Sequence, residues 1–188
     1  MKASFLLVHI SLLIILGCFD PKQYELENRY IYEHFYDEFN IPDLLQYKNR
    51  KNHIYIRVWF TRELYDPVIY IFQYKNKLWE GKKIVKNRKH DTIDEKLIWA
   101  EQKTWENLWE KLGAMNFFNM KDWSQTQCFT PSTFDGWSID VEILMGHKYR
   151  NFSYNHPEIR HCIEAQTFMR ALNIIFEDLK MVKPVVEY

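Results

Sequence analysis

The chain is short of glycine, net charge, long apolar runs and catalytic motifs, and each shortage removes a class of protein. Glycine occurs only 5 times in 188 residues, against 7 Trp, 12 Tyr and 13 Phe. Disordered chains are poor in aromatics, so this composition describes a folded chain with bulky side chains to fill a core. Basic and acidic side chains balance at 25 each, so no net field draws the protein to nucleic acid or to an anionic surface. The longest apolar stretch, Phe5 to Leu16, is interrupted by His9 and Ser11. It falls short of the ~20 residues that a helix needs to span hydrocarbon. No G-x-S-x-G, H-E-x-x-H, P-loop or G-x-G-x-x-G occurs, so the frameworks that announce hydrolase, zinc-protease and nucleotide chemistry are missing. No cofactor is implied.

What is present begins with an address. Lys2, the apolar run and then Gly17-Cys18 have the build of a secretory leader. Ordinary processing wants small residues before the cut, yet the only Ala before Cys18 is Ala3, and Ile15 occupies the −3 position. Ile15-Leu16-Gly17-Cys18 instead resembles the lipobox of bacterial lipoproteins, whose cysteine is lipidated and becomes the mature N-terminus. The resemblance implies a leader over 1–17, export, and attachment to a cell-envelope membrane through acyl chains on Cys18, which hold a protein stably where a single chain would not. Residues 18–50 then form a tether and a packed N-terminal element, rich in aromatics from Tyr24 to Tyr47, and 51–188 form a single domain.

Alternation organises that domain. Ile54, Ile56, Val58 and Phe60 point one way and Tyr55, Arg57 and Trp59 the other, which predicts a strand over His53 to Thr61. Val68 to Tyr74 and Leu78 to Val85 resume the pattern on either side of the polar turn Lys75-Asn76-Lys77, giving a meander. The basic run Lys82 to His90 reads as a solvated edge and loop. Trp137 to Leu144 alternates again, with Asp140 and Glu142 on the expected solvent face, and Lys148 to Tyr154 returns after Met145-Gly146-His147. Thr104 to Gly113 predicts a helix capped by Thr104, with Trp105, Leu108, Trp109 and Leu112 inward and Gly113 at its left-handed end. A second helix is expected from Glu158 to Leu179, with Ala165, Phe168, Met169, Leu172, Ile175, Phe176 and Leu179 on one stripe that includes His161. The fold class is therefore α+β: an antiparallel sheet built from a meander and a hairpin, with two amphipathic helices packed on it.

The pattern Tyr55-Ile56-Arg57-Val58-Trp59, Asp66-Pro67-Val68-Ile69, Trp105 to Phe118, Asp135-Gly136-Trp137 and Lys148-Tyr149-Arg150 resembles a group of small uncharacterised exported bacterial proteins. Phe117-Phe118 stands where that group carries Phe-Trp. The likeness rests on packing residues, so it implies a fold and transfers no site.

Chemical candidates are few. His156, Glu158, His161 and Cys162 cluster in sequence, but His156 and His161 lie about 140° apart on a helix, so they do not offer the shared face that zinc helices use. Cys162 near a helix start could be an activated thiol. In an exported chain with one other mature cysteine it reads more simply as a disulfide partner of Cys128. Ile163 and Ile174 fall together on the polar side of the last helix. They mark either a partner-contact face or a surface covered by the aromatic segment Tyr24 to Tyr47. The function these features support is a membrane-anchored, non-enzymatic module that binds an envelope protein or polymer. The alternatives are a metal- or thiol-dependent enzyme, and an immunity-type inhibitor or structural envelope component.

Overall fold

In the computed structural model, which describes residues 35–48, 50, 52–62, 66–127 and 137–184, the alternation at His53 to Thr61 becomes β1 (Ile54–Arg62). It lies inside a six-stranded antiparallel sheet, because both its neighbours pair with it over most of its length. The strands β2 (Val68–Lys75), β3 (Leu78–Asn87), β4 (Thr92–Ile98), β5 (Trp137–Met145) and β6 (Lys148–Asn155) complete the order β4-β3-β2-β1-β5-β6. The expected meander and hairpin thus share one sheet. Asn76 and Lys77 turn the β2–β3 hairpin with φ of 52° and 65°, the two positive values that match a two-residue turn to strand twist. The chain divides into two compact units, Met1–Asp37 and Glu38–Tyr188, and the sheet and helices belong to the second.

Two helices, α1 (Gln102–Ala114) and α2 (Ile163–Asp178), cover one face of the sheet. Their apolar stripes meet Ile56 and Val58 of β1, Tyr70 and Phe72 of β2, and the inward residues of β5 and β6. Aromatic rings fill the seam. Trp79 stacks on Trp109 at 4.4 Å, Tyr154 stacks on Phe168 at 4.4 Å, and Tyr70 meets Phe176 edge-on at 5.3 Å. Such pairs add ~0.5–1.5 kcal/mol each beyond the burial of their area. Gly81 is required by this packing: a Cβ there would sit 2.8 Å from Cη2 of Trp105. Gln102 finishes the β3 edge beyond the reach of β4, donating to the Trp79 carbonyl and accepting from its N–H, both at 2.8 Å.

Several boundaries differ from expectation. β4 is an added strand, invisible to alternation because all but its last residue are exposed. Consequently β3 runs on to Asn87, which puts Lys86 in the sheet with Lys82 and Lys83, and β3 is not an edge. The first helix starts two residues before Thr104, with Glu101 at its N-cap. Gly113 is helical, and Asn116 takes the left-handed position instead, at φ 58°. Pro157 opens only a short 3-10 turn, Pro157–Ile159, after which Arg160 is extended with its guanidinium 4.5 Å over the Trp123 ring. The long helix begins at Ile163, where the Cys162 Sγ caps it by accepting from the Ala165 N–H at 3.4 Å. His161 is therefore exposed before the helix and lies outside its apolar stripe. Among the described residues no helix is long and apolar enough to cross a membrane.

Candidate functional site

The second face of the sheet is the first place where polar side chains gather. Arg57 on β1 and Glu142 on β5 are directly opposed in the register. Opposed residues share a face, and here that face is not solvated. Phe39 meets Trp59 edge-on at 5.6 Å, Leu44 packs with Tyr55 and Leu144, and the Pro42 carbonyl accepts from Nη2 of Arg57 at 2.6 Å. Glu142 is 0% exposed. It accepts from Nε1 of Trp59 at 2.8 Å and from the Tyr149 hydroxyl at 2.9 Å, with the Arg57 guanidinium 3.9 Å away. The expectation of a solvent-facing Asp140 and Glu142 is thereby corrected: residues 38–47 supply the covering layer.

Asp140, half-buried beside this layer, accepts from Ser138 at 2.7 Å. Desolvation, aided by the charge of nearby Asp122, holds its carboxyl above the usual aspartate value. Asp122 is itself engaged by the Ser153 N–H at 2.8 Å, and by the N–H and hydroxyl of Ser124. These acids are committed to neighbouring donors, and their chemistry is that of a structural network.

The thiol and imidazole candidates also resolve into local roles. Cys162 is disulfide-bonded; Cys128, like Cys18, lies outside the described residues. Glu158 accepts from Nε1 of Trp137 at 3.0 Å, with Nδ1 of His156 3.5 Å from the same oxygen. His161 points elsewhere, exposed, and among the described residues no group of three or more potential ligands could hold a metal. Ile163 is 70% exposed, whereas Ile174 is half-buried against the core, so the two do not form one exposed surface. The described part of the aromatic segment within the second unit, residues 38–47, packs on the opposite side of the sheet from α2; residues 24–34 lie outside the described residues.

The arrangement best suited to a ligand is a groove that no motif announces. It opens between the β2–β4 end of the sheet and the segment after α2, with a volume of about 400 Å³. That size lies in the range of small-molecule pockets. Tyr70, Ile98, Leu179 and Met181 give it apolar walls, and Trp99 and Val182 stand at its mouth, 83% and 79% exposed. The Tyr70 hydroxyl donates to the Val182 carbonyl at 3.2 Å and so pins the far wall to the sheet. Burial keeps this phenol protonated well above the ordinary tyrosine value.

Three lysines rim the groove: Lys83, Lys96 and Lys180. Lys83 opposes Tyr70 on one side and Lys96 on the other, so both ammonium groups rise from the helix-covered face. Lys83 sits 5.8 Å over the Tyr70 ring, a cation–π distance. Elsewhere on the meander four cations have an acid partner: Lys82 with Glu95 at 2.8 Å, Lys86 with Asp91 at 2.6 Å, Arg88 with Glu38 at 3.3 Å, and Lys75 with Glu80. Among the described residues the three groove lysines form no ion pair. Asp94 shares their face two positions from Lys96, opposite Val85, and pairs with none of them. Sequence reading passed over this site because it treated Lys82 to His90 as one solvated run. Alternation within β3 would have separated Lys83 from Lys82 and Lys86. No protein-family model matches the chain, and no curated protein is similar to it in sequence.

Proposed function

We propose that the chain is an exported lipoprotein, held to a cell-envelope membrane by acyl chains on Cys18, whose folded unit is a non-enzymatic module that binds an envelope component. The observation that carries the binding half is the groove beside Lys83, Lys96 and Trp99, where apolar wall, exposed indole and unpaired cations coincide. Exposed aromatic surface and uncompensated charge are the usual marks of recognition. The buried acids support the non-enzymatic reading, since Glu142 and Asp122 are each saturated by donors of the fold itself. Ile15-Leu16-Gly17-Cys18 supports the anchoring half.

Intact-mass measurement of the protein from the membrane fraction tests the anchor. The expected product begins at an acylated Cys18, and Cys18→Ala leaves an unprocessed precursor. An intact Met1 or an unmodified Cys18 in the wild type rejects the lipoprotein. For the binding half, material co-purifying in mild detergent with the wild type is expected to be lost from a Lys96→Ser, Trp99→Ser variant. Identical recovery removes the groove as the binding surface.

A further inference from the structure

We propose that the groove takes an amphipathic anion: an apolar chain or ring lodged along Tyr70 and Met181, ending in a carboxylate or phosphate held between Lys83, Lys96 and Lys180. This rests on the groove being the binding surface of the preceding section and names the chemical class it takes. Two facts make the polarity of the ligand legible. Lys83 and Lys96 are directly opposed on adjacent strands, and like charges in that position repel unless an anion lies between them. The walls beneath them are apolar, so a small inorganic ion alone would leave the partly buried Ile98 and Met181 facing water.

Lys180 adds an independent argument. It occupies the position just past α2 with φ 51°, and the Lys180 N–H donates to the Glu177 carbonyl at 3.1 Å while the Met181 N–H reaches the Phe176 carbonyl at 2.8 Å. That pair of bonds is the Schellman closure, whose left-handed residue is usually glycine. A lysine there is conformationally disfavoured, and its side chain lines the groove. Backbone strain held at a residue that faces a cavity points to a role for that side chain.

Lysine footprinting of the full-length protein in non-ionic detergent, with acetic anhydride and mass spectrometry, tests the assignment. Sodium dodecanoate below its micelle-forming concentration is the probe, with dodecanol and inorganic phosphate as its two halves. At about four times the Kd, dodecanoate is expected to slow acetylation of Lys83, Lys96 and Lys180 by about fivefold. The exposed Lys89 and Lys121 should react unchanged, and neither dodecanol nor phosphate should protect. Lys83→Gln with Lys96→Gln should abolish the protection of Lys180 without lowering the thermal midpoint of the free protein, since the substitutions remove a repulsive pair. Equal protection by phosphate, protection of every lysine alike, or none at all would overturn the proposal. So would lysines that are slow without ligand and freed by deleting residues 185–188, which would make the chain's own end the occupant. Protection by phosphatidylglycerol vesicles but not by monomeric dodecanoate would assign the face to a membrane surface and equally overturn it. The mass of Cys18 is read separately, so loss of the ligand class is distinguishable from loss of the anchor.

Discussion

At the scale of single residues the decisive pair is Arg57 and Glu142, both removed from water. Desolvating two charges costs several kcal/mol, and their attraction repays that only while both are present. Glu142→Ala should therefore destabilise the fold by ~3–5 kcal/mol in urea unfolding, because it removes a buried counter-charge from the guanidinium and an acceptor from Trp59 and Tyr149. Arg57→Met combined with Glu142→Leu should return most of that loss; a double variant as unstable as the single one would show that the cluster does more than neutralise itself. Asp140 responds to pH in the opposite sense to a salt-bridged acid. Burial raises its pKa, so the folded state holds the proton more tightly than the unfolded state does. Stability is then full below the ordinary aspartate value and falls as pH rises through the raised one. Asp140→Asn should accordingly stabilise the protein at neutral pH and do nothing in strong acid, as thermal midpoints across pH would reveal. None of this network is legible in the local pattern. Alternation places Asp140 and Glu142 on one face, but whether that face is wet depends on Phe39 and Leu44, about a hundred residues away in the chain.

At the scale of elements, close packing and helix ends govern what can change. Gly81→Ala puts a methyl against the rings of Trp105 and Phe72, and overpacking of this kind costs ~1–3 kcal/mol. A loss in the unfolding midpoint with unchanged denaturant slope would register it. Lys180→Gly should act the other way. Relief of a left-handed side chain is worth ~1–2 kcal/mol, while losing a cation at a helix C-terminus forfeits ~0.3–1, for a net gain of about 0–1.7 kcal/mol. Together with the groove proposal, this makes Lys180→Gly a variant that gains stability as it loses ligand. Elements with a regular apolar period announced themselves: β1, β2, β5 and both helices, even though β1 and β5 turn out to be covered on both faces. β4 did not, since an edge strand with six of seven residues exposed has no apolar face to repeat. The start of α2 was misplaced for a different reason. Proline and an acid do begin a helical turn at Pro157, but Arg160 leaves it to lie on Trp123, a contact no local rule contains.

At the scale of the whole molecule, the proposed anchor constrains the disulfide. The chain has three cysteines, and Cys162, one of them, is in a disulfide. A cysteine whose sulfur carries a lipid thioether has no thiol left to oxidise. If Cys18 is acylated, the partner of Cys162 within one chain can only be Cys128, so the anchor proposal entails that pairing. Such a bridge would join Cys128, ahead of β5, to the N-cap of α2, closing a separation of 162 − 128 = 34 residues. In the chain-entropy account this stabilises the fold by roughly 3–4 kcal/mol. Peptide mapping of the membrane-derived protein under non-reducing conditions should recover the Cys128 and Cys162 peptides as one species and Cys18 as an acylated N-terminal peptide. Reduction should then lower the thermal midpoint, and Cys128→Ser should lower it equally and abolish any further effect of reductant. Recovery of Cys18 bonded to Cys162 would overturn lipidation and pairing at once, since it would place at Cys18 the one modification that excludes the anchor.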